Sequence, residues 1–196
     1  MTMKTKIFIL AALLMAVCGT LSAQHPDVLY AEGKAFYDAK EYKQAVPKLK
    51  AAAEKGHKKA QYRLGRCYDK GYGVREDEKA AFAWYSKSAA QGYAKAEYQM
   101  GKCYKNGEGT TKDRAKAVEY FRKAAAKGNA DGQLALGKCY LKGKGVEENR
   151  AKAISLFKKA VSNEKDGKEI MAELRADAAQ GDQDAKDILQ LLKKAP

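Results

Sequence analysis

Ala60-Gln-Tyr-Arg-Leu-Gly-Arg-Cys-Tyr-Asp-Lys-Gly-Tyr-Gly-Val74 is written again as Ala96-Glu-Tyr-Gln-Met-Gly-Lys-Cys-Tyr-Lys-Asn-Gly-Glu-Gly-Thr110. A third copy runs Gly132-Gln-Leu-Ala-Leu-Gly-Lys-Cys-Tyr-Leu-Lys-Gly-Lys-Gly-Val146. The copies align without gaps. Gly65, Gly101 and Gly137 keep a constant spacing, as do Cys67, Cys103 and Cys139. A fixed period of this length marks stacked supersecondary units, none of which buries its apolar face alone.

Each repeat reads as two helices. Leu64, Cys67 and Tyr68 recur at helical spacing and form one apolar stripe on a first helix, helix A. The Gly71/Gly73 pair then ends that helix and turns the chain, because glycine adopts left-handed backbone angles at little cost. Asp77, Asp113 and Asn149 stand in one register as N-cap residues of a second helix, helix B. Its apolar positions hold Ala81, Trp84 and Tyr85, then Ala117, Tyr120 and Phe121, then Ala153, Leu156 and Phe157. Large residues alternate with alanine, which lets helices approach and interlock. Gly92 and Gly128 end the first two copies of helix B.

The Leu/Met-Gly-x-Cys-Tyr-x-x-Gly-x-Gly stretch, with the later stretch from Ala81 through Trp84-Tyr85 to Gly92, resembles the Sel1-like repeat family. The resemblance covers about residues 57–162. It implies an all-α, right-handed α/α solenoid of stacked antiparallel helix pairs, related to tetratricopeptide arrays. It also implies an adaptor that holds other proteins together, in bacteria often at the envelope. Residues 24–56 read as a further, shorter helix pair without the Gly-x-Gly turn, and so resemble a tetratricopeptide unit. Pro47 is tolerable in the first turn of its second helix if that helix starts near Tyr42 or later. Ser162 to Gly167 breaks the period, and 163–196 read as a helical cap with helices near 168–180 and 182–194. A polar-faced final helix closes such a stack.

Residues 1–23 have the form of a bacterial secretory signal. Lys4 and Lys6 precede an apolar run from Ile7 to Val17 and a small-residue end, with cleavage expected after Ala23. The alternative is an outer-envelope lipoprotein anchored at Cys18, although Val17 is a poor residue before a lipidated cysteine. The apolar run is too short for a stable membrane span, and no later stretch is long enough. The formal net charge is +14. Such a balance attracts anionic partners and also suits a Lys-rich solvated helix surface; no specific nucleic acid is expected.

Chemistry is hard to place. Cys67, Cys103 and Cys139 occupy one repeat position. Equivalent points on stacked helices lie roughly 8–10 Å apart, and a disulfide needs Cα atoms within about 7 Å. They read as small buried core residues. Cysteine-rich Sel1-like proteins pair cysteines within each repeat, a spacing absent here. The Gly-x-Gly turns follow helices rather than strands, which argues against a phosphate loop. His25 and His57 stand outside any cluster that could ligate a metal or serve a nucleophile. The expectation is therefore no catalytic residue, no cofactor and no metal.

The sharpest functional signal is a stripe on helix A at i, i+4 and i+8, positions that share a helix face. It reads Tyr30-Lys34-Asp38, Tyr62-Arg66-Lys70, Tyr98-Lys102-Asn106 and Leu134-Lys138-Lys142. In tetratricopeptide arrays the corresponding face lines a concave groove. A basic row beside an aromatic row suits a protein or an acidic peptide segment: tyrosine supplies contact area at low entropy cost, and lysine and arginine supply attraction. The expected protein is a monomeric, non-catalytic adaptor of the bacterial envelope. The alternative is an envelope hydrolase or ligand-binding protein acting on a β-lactam or cell-wall fragment.

Overall fold

Alanine and lysine dominate the chain outside its turns, and both are strong helix formers. The computed structural model describes residues 25–194, and among them it contains ten helices and no strand. The helices are α1 Pro26–Asp38, α2 Tyr42–Glu54, α3 Lys58–Lys70, α4 Glu78–Ala90 and α5 Ala94–Asn106, followed by α6 Arg114–Ala126, α7 Ala130–Lys142, α8 Arg150–Val161, α9 Gly167–Ala179 and α10 Gln183–Lys194. The signal segment, the Ala23 cleavage position and Cys18 lie outside the described residues. The chain divides into two compact units, one ending at Asp77 and the other beginning at Glu78.

In the first unit α1 packs on α2, and α2 on α3. Leu49, Ala45 and Ala52 are fully buried on α2. Leu49 lies over Gly33 of α1, where a Cβ would come within 2.9 Å of its Cγ. Pro47 stands in the second turn of α2, not the first, because that helix already begins at Tyr42. Its missing N–H leaves the helix unbroken, and the residue is exposed. Tyr42, Tyr72 and Tyr37 form an aromatic cluster, with Tyr42 and Tyr72 stacked at 4.3 Å.

In the second unit α6 packs on α5, α7 on α6 and α8 on α7, with α9 and α10 against α8. One core joins Phe121, Val118, Leu136 and Cys139; another joins Phe157, Ile170, Leu174, Ile188 and Leu191. Full burial of side chains of this size stabilises by about 1.5–3 kcal/mol each. α10 is strongly amphipathic: Ala185, Ile188 and Leu191 face inward while the other positions from Gln183 to Lys193 are half-buried or exposed.

The repeated glycines have three separate jobs. Gly71, Gly107 and Gly143 end helix A in the left-handed conformation, each donating its N–H to the carbonyl of Cys67, Cys103 or Cys139. The next N–H, from Tyr72, Glu108 or Lys144, reaches the same carbonyl. The turn is closed from its far side when Asp77, Asp113 and Asn149 donate to the carbonyls of Tyr68, Tyr104 and Tyr140. Asp113 and Asn149 then cap helix B, accepting from the N–H of Lys116 at 3.0 Å and Lys152 at 2.9 Å.

The second glycine of each turn is a docking surface as well as a turn residue. A Cβ on Gly73 would lie 2.5 Å from the Tyr42 carbonyl oxygen; on Gly109, 2.7 Å from the Glu78 carbonyl carbon; on Gly145, 2.6 Å from that of Arg114. Each partner is the first residue of the helix B that precedes it. Gly109 N–H also donates to the Glu78 carboxylate at 3.2 Å. The third class, Gly101 and Gly137 in mid-helix, makes room for the helix-B aromatic of the same repeat. A Cβ there would lie 2.5 Å from Phe121 Cδ1 and 2.7 Å from Phe157 Cδ1.

Candidate binding surface on the helix-A face

In the first unit the stripe residues are engaged within the fold. Tyr30 stacks on His57 at 4.2 Å and its hydroxyl accepts from Arg63 at 3.4 Å. Lys34 donates to Asp38 at 2.5 Å, which holds that carboxyl below the usual range. Arg63 also pairs with Asp38 at 3.3 Å and lies 4.8 Å over the Tyr37 ring. Burial pushes the Tyr37 hydroxyl up to about 12, against the opposing charges of Arg66 and Arg63. Tyr62 and Arg66 are half-buried, and Lys70 is exposed beside Asp69 at 3.3 Å. Arg63, off the stripe, is thus the organising cation of this unit.

In the second unit Tyr98, Leu134, Lys138 and Lys142 converge on one recess of about 340 Å³, between α5, α7 and α9. Tyr98 is half-buried with its ring against Phe121 at 5.9 Å. Lys102 does not line the recess, though its charge reaches Asp131. Lys142 pairs with Asp184 at the start of α10. Residues outside the stripe also line the recess: Lys105 and Lys144 near Cys139, and Arg114, Asp131, Glu173 and Asp177. Desolvation in the groove raises the Asp131 carboxyl, Asp166 and Glu169 raise it further, and Lys95 and Lys102 oppose them. Asp131 to Lys142 spans about 16 Å along α7 at 1.5 Å per residue, acidic at one end and basic at the other.

These additional residues were invisible to a reading based on the period. Lys105 stands where the other copies have Asp69 and Leu141, and Lys144 where they have Tyr72 and Glu108. The acids of α9 lie beyond the repeats altogether. Their signal was local: Ile170, Glu173, Leu174 and Asp177 share one helix face, so an acidic edge accompanies the apolar one.

Among the described residues no disulfide forms: Cys67, Cys103 and Cys139 are buried thiols. Burial pushes the Cys67 thiol up to about 11 and raises that of Cys139. His57 is half-buried, and its Nδ1 accepts from the Ala60 N–H at 3.1 Å, capping α3. Among the described residues no cluster of His, Cys, Asp or Glu has the arrangement of a metal site, and no helix is long and apolar enough to cross a membrane.

The Sel1 repeat model matches residues 58–93, 94–129 and 130–164, more than half of the chain. The chain belongs to the Sel1 repeat family. The third match runs past Val161, and the structure gives the reason: Asn163 donates to the Gly128 carbonyl at 3.1 Å, the same junction contact that Lys127 makes with Gly92 at 3.0 Å. A Sel1 repeat protein from Oxalobacter formigenes is 33% identical over 70% of this chain and 56% of its own, with a TM-score of 0.66. The protein c5321, a protective antigen present in uropathogenic Escherichia coli strains, is 26% identical over 93% of this chain and 41% of its own, with a TM-score of 0.71. MamA is 26% identical over 76% of this chain and 84% of its own, with a TM-score of 0.51. The chain spans about half the length of the first two. No curated protein matches it. The fold is an all-α solenoid of antiparallel helix pairs, and Sel1 repeats generally mediate protein–protein interactions as non-catalytic scaffolds.

Proposed function

We propose that this protein is a non-catalytic adaptor of the bacterial envelope that holds a protein or peptide on the helix-A face of its repeats. The observation that carries the reading is the recess between α5, α7 and α9. There, stripe residues Tyr98, Lys138 and Lys142 meet in one concavity within a family of protein-interaction repeats. A pocket of this volume falls in the ordinary range for ligand sites. The stripe residues of the first unit, Tyr30, Lys34, Tyr62, Arg66 and Lys70, serve in the same proposal as a separate contact surface on that unit. The envelope address rests on the form of residues 1–23.

Two features favour binding over catalysis. The Cys67 and Cys139 thiols are buried with raised pKa values, the opposite of an activated nucleophile. His57 spends its acceptor nitrogen on a helix cap. Affinity capture from envelope extracts tests the reading, comparing the wild type with Lys102→Glu/Lys138→Glu. A discrete partner retained by the wild type and lost by the folded variant is expected. Equal capture by both proteins rejects the helix-A face as the binding surface.

A further inference from the structure

The recess carries unpaired charge of both signs. Lys105, Arg114, Lys138 and Lys144 line it, and none has an ion-pair partner among the described residues. Glu173 and Asp177 of α9 line it too, and they are equally unpaired. Lys142 and Asp184 do pair, which joins α7 to the cap at that corner. Elsewhere a gap separates the walls. Its apolar lining includes Tyr98, Leu134 and Leu174.

Opposite charges that share a recess without touching leave part of their attraction unused, and a guest of the right pattern can take it up. An extended peptide sends successive side chains to opposite sides. A segment alternating acidic and basic residues therefore presents one sign to each wall at once. A purely acidic segment satisfies the lysines but is repelled by Glu173 and Asp177; a purely basic one meets the reverse.

We propose that this recess recognises an extended peptide segment of mixed charge, its acidic side chains toward Lys105, Lys138 and Lys144 and its basic side chains toward Glu173 and Asp177. The proposal rests on the peptide-binding reading above and sharpens it, because the cap helix turns a basic groove into a two-signed one.

Fluorescence anisotropy at low salt tests it on the full chain, with three labelled octapeptides of equal length sharing a central Leu-Tyr. One alternates Glu with Lys, one Glu with Ser, one Lys with Ser. The mixed peptide should bind at least about tenfold tighter than either other, as expected for close charge pairs on both walls. Glu173→Lys/Asp177→Lys changes two exposed positions, and circular dichroism checks that its helix is kept. In that variant the mixed peptide should weaken about tenfold while the Glu/Ser peptide strengthens. If the Glu/Ser peptide binds the wild type as tightly as the mixed one, the two-signed inference is wrong while peptide binding stands. If no peptide binds, the inference is overturned, and the capture experiment decides the adaptor reading independently.

Discussion

The second and third Sel1 repeats, residues 94–129 and 130–164, differ at the buried position that joins each to the repeat before it. Gly101 meets Phe121 as Gly137 meets Phe157, and Gly109 docks on Glu78 as Gly145 docks on Arg114. Yet the second repeat buries Glu97 where the third buries Gln133. Gln133 donates to the Ala125 carbonyl at 3.4 Å, as Gln61 does to Ala53 at 3.1 Å. A carboxylate cannot donate. Lys127 instead reaches Glu97 at 2.5 Å while its third-repeat counterpart is the neutral Asn163. One scaffold is thus sealed by an ion pair in one copy and by amides in the next. Positions that repeat carry the fold, and positions that vary are free to carry local chemistry.

The strongest challenge to that equivalence is to remove the aromatic that fills each glycine notch. Phe121→Ala and Phe157→Ala should each cost about 3–5 kcal/mol in urea unfolding, because both rings are fully buried. A cost below about 1 kcal/mol in either repeat breaks the common skeleton.

The seal is a finer test. Lys127→Ala should cost about 2 kcal/mol, between the values for an exposed and a fully buried pair, since its ammonium is partly solvated while Glu97 is buried. Glu97→Gln/Lys127→Asn, which installs the third repeat's residues in the second, should restore stability to within about 1 kcal/mol of the wild type. If the double variant is as damaged as Lys127→Ala, the two seals are not interchangeable.

The smallest effect concerns a cap. Asn129 caps α7 by accepting from the Gly132 N–H at 2.7 Å, and His57 caps α3 in the same way. Burial lowers the His57 pKa below its usual 6.5, with Lys59 adding to this and Asp27 opposing it. The fold therefore favours neutral His57. Its contribution is complete above about pH 6.5 and is lost as the pH falls through the folded pKa. His57→Asn should remove that part of the pH dependence of unfolding; an unchanged profile between pH 7 and 5 contradicts the assignment.

The skeleton was legible in the sequence because its determinants recur: three glycines, three cysteines and three cap residues at one period fix helix ends and core faces. The period shows the second glycine of each turn as turn geometry alone, because its docking partner lies 31 residues upstream, as for Gly109 and Glu78. The helix-A stripe was legible as a face but not as a site. Whether Lys34 is paired with Asp38, or Lys142 with Asp184, depends on side-chain reach and on a cap helix outside the period. Arg63 carries no periodic signal, because its counterparts are Gln99 and Ala135.

The central claim is that the helix-A face around the α5–α7–α9 recess is where a partner binds. Amide chemical-shift mapping of the full chain, titrated with the mixed-charge octapeptide, tests it most directly. Perturbations should concentrate at Tyr98, Lys105, Leu134, Lys138, Glu173 and Asp177, with α6 and α8 positions such as Tyr120 and Leu156 unmoved. Perturbations centred on those helix-B positions instead would contradict it.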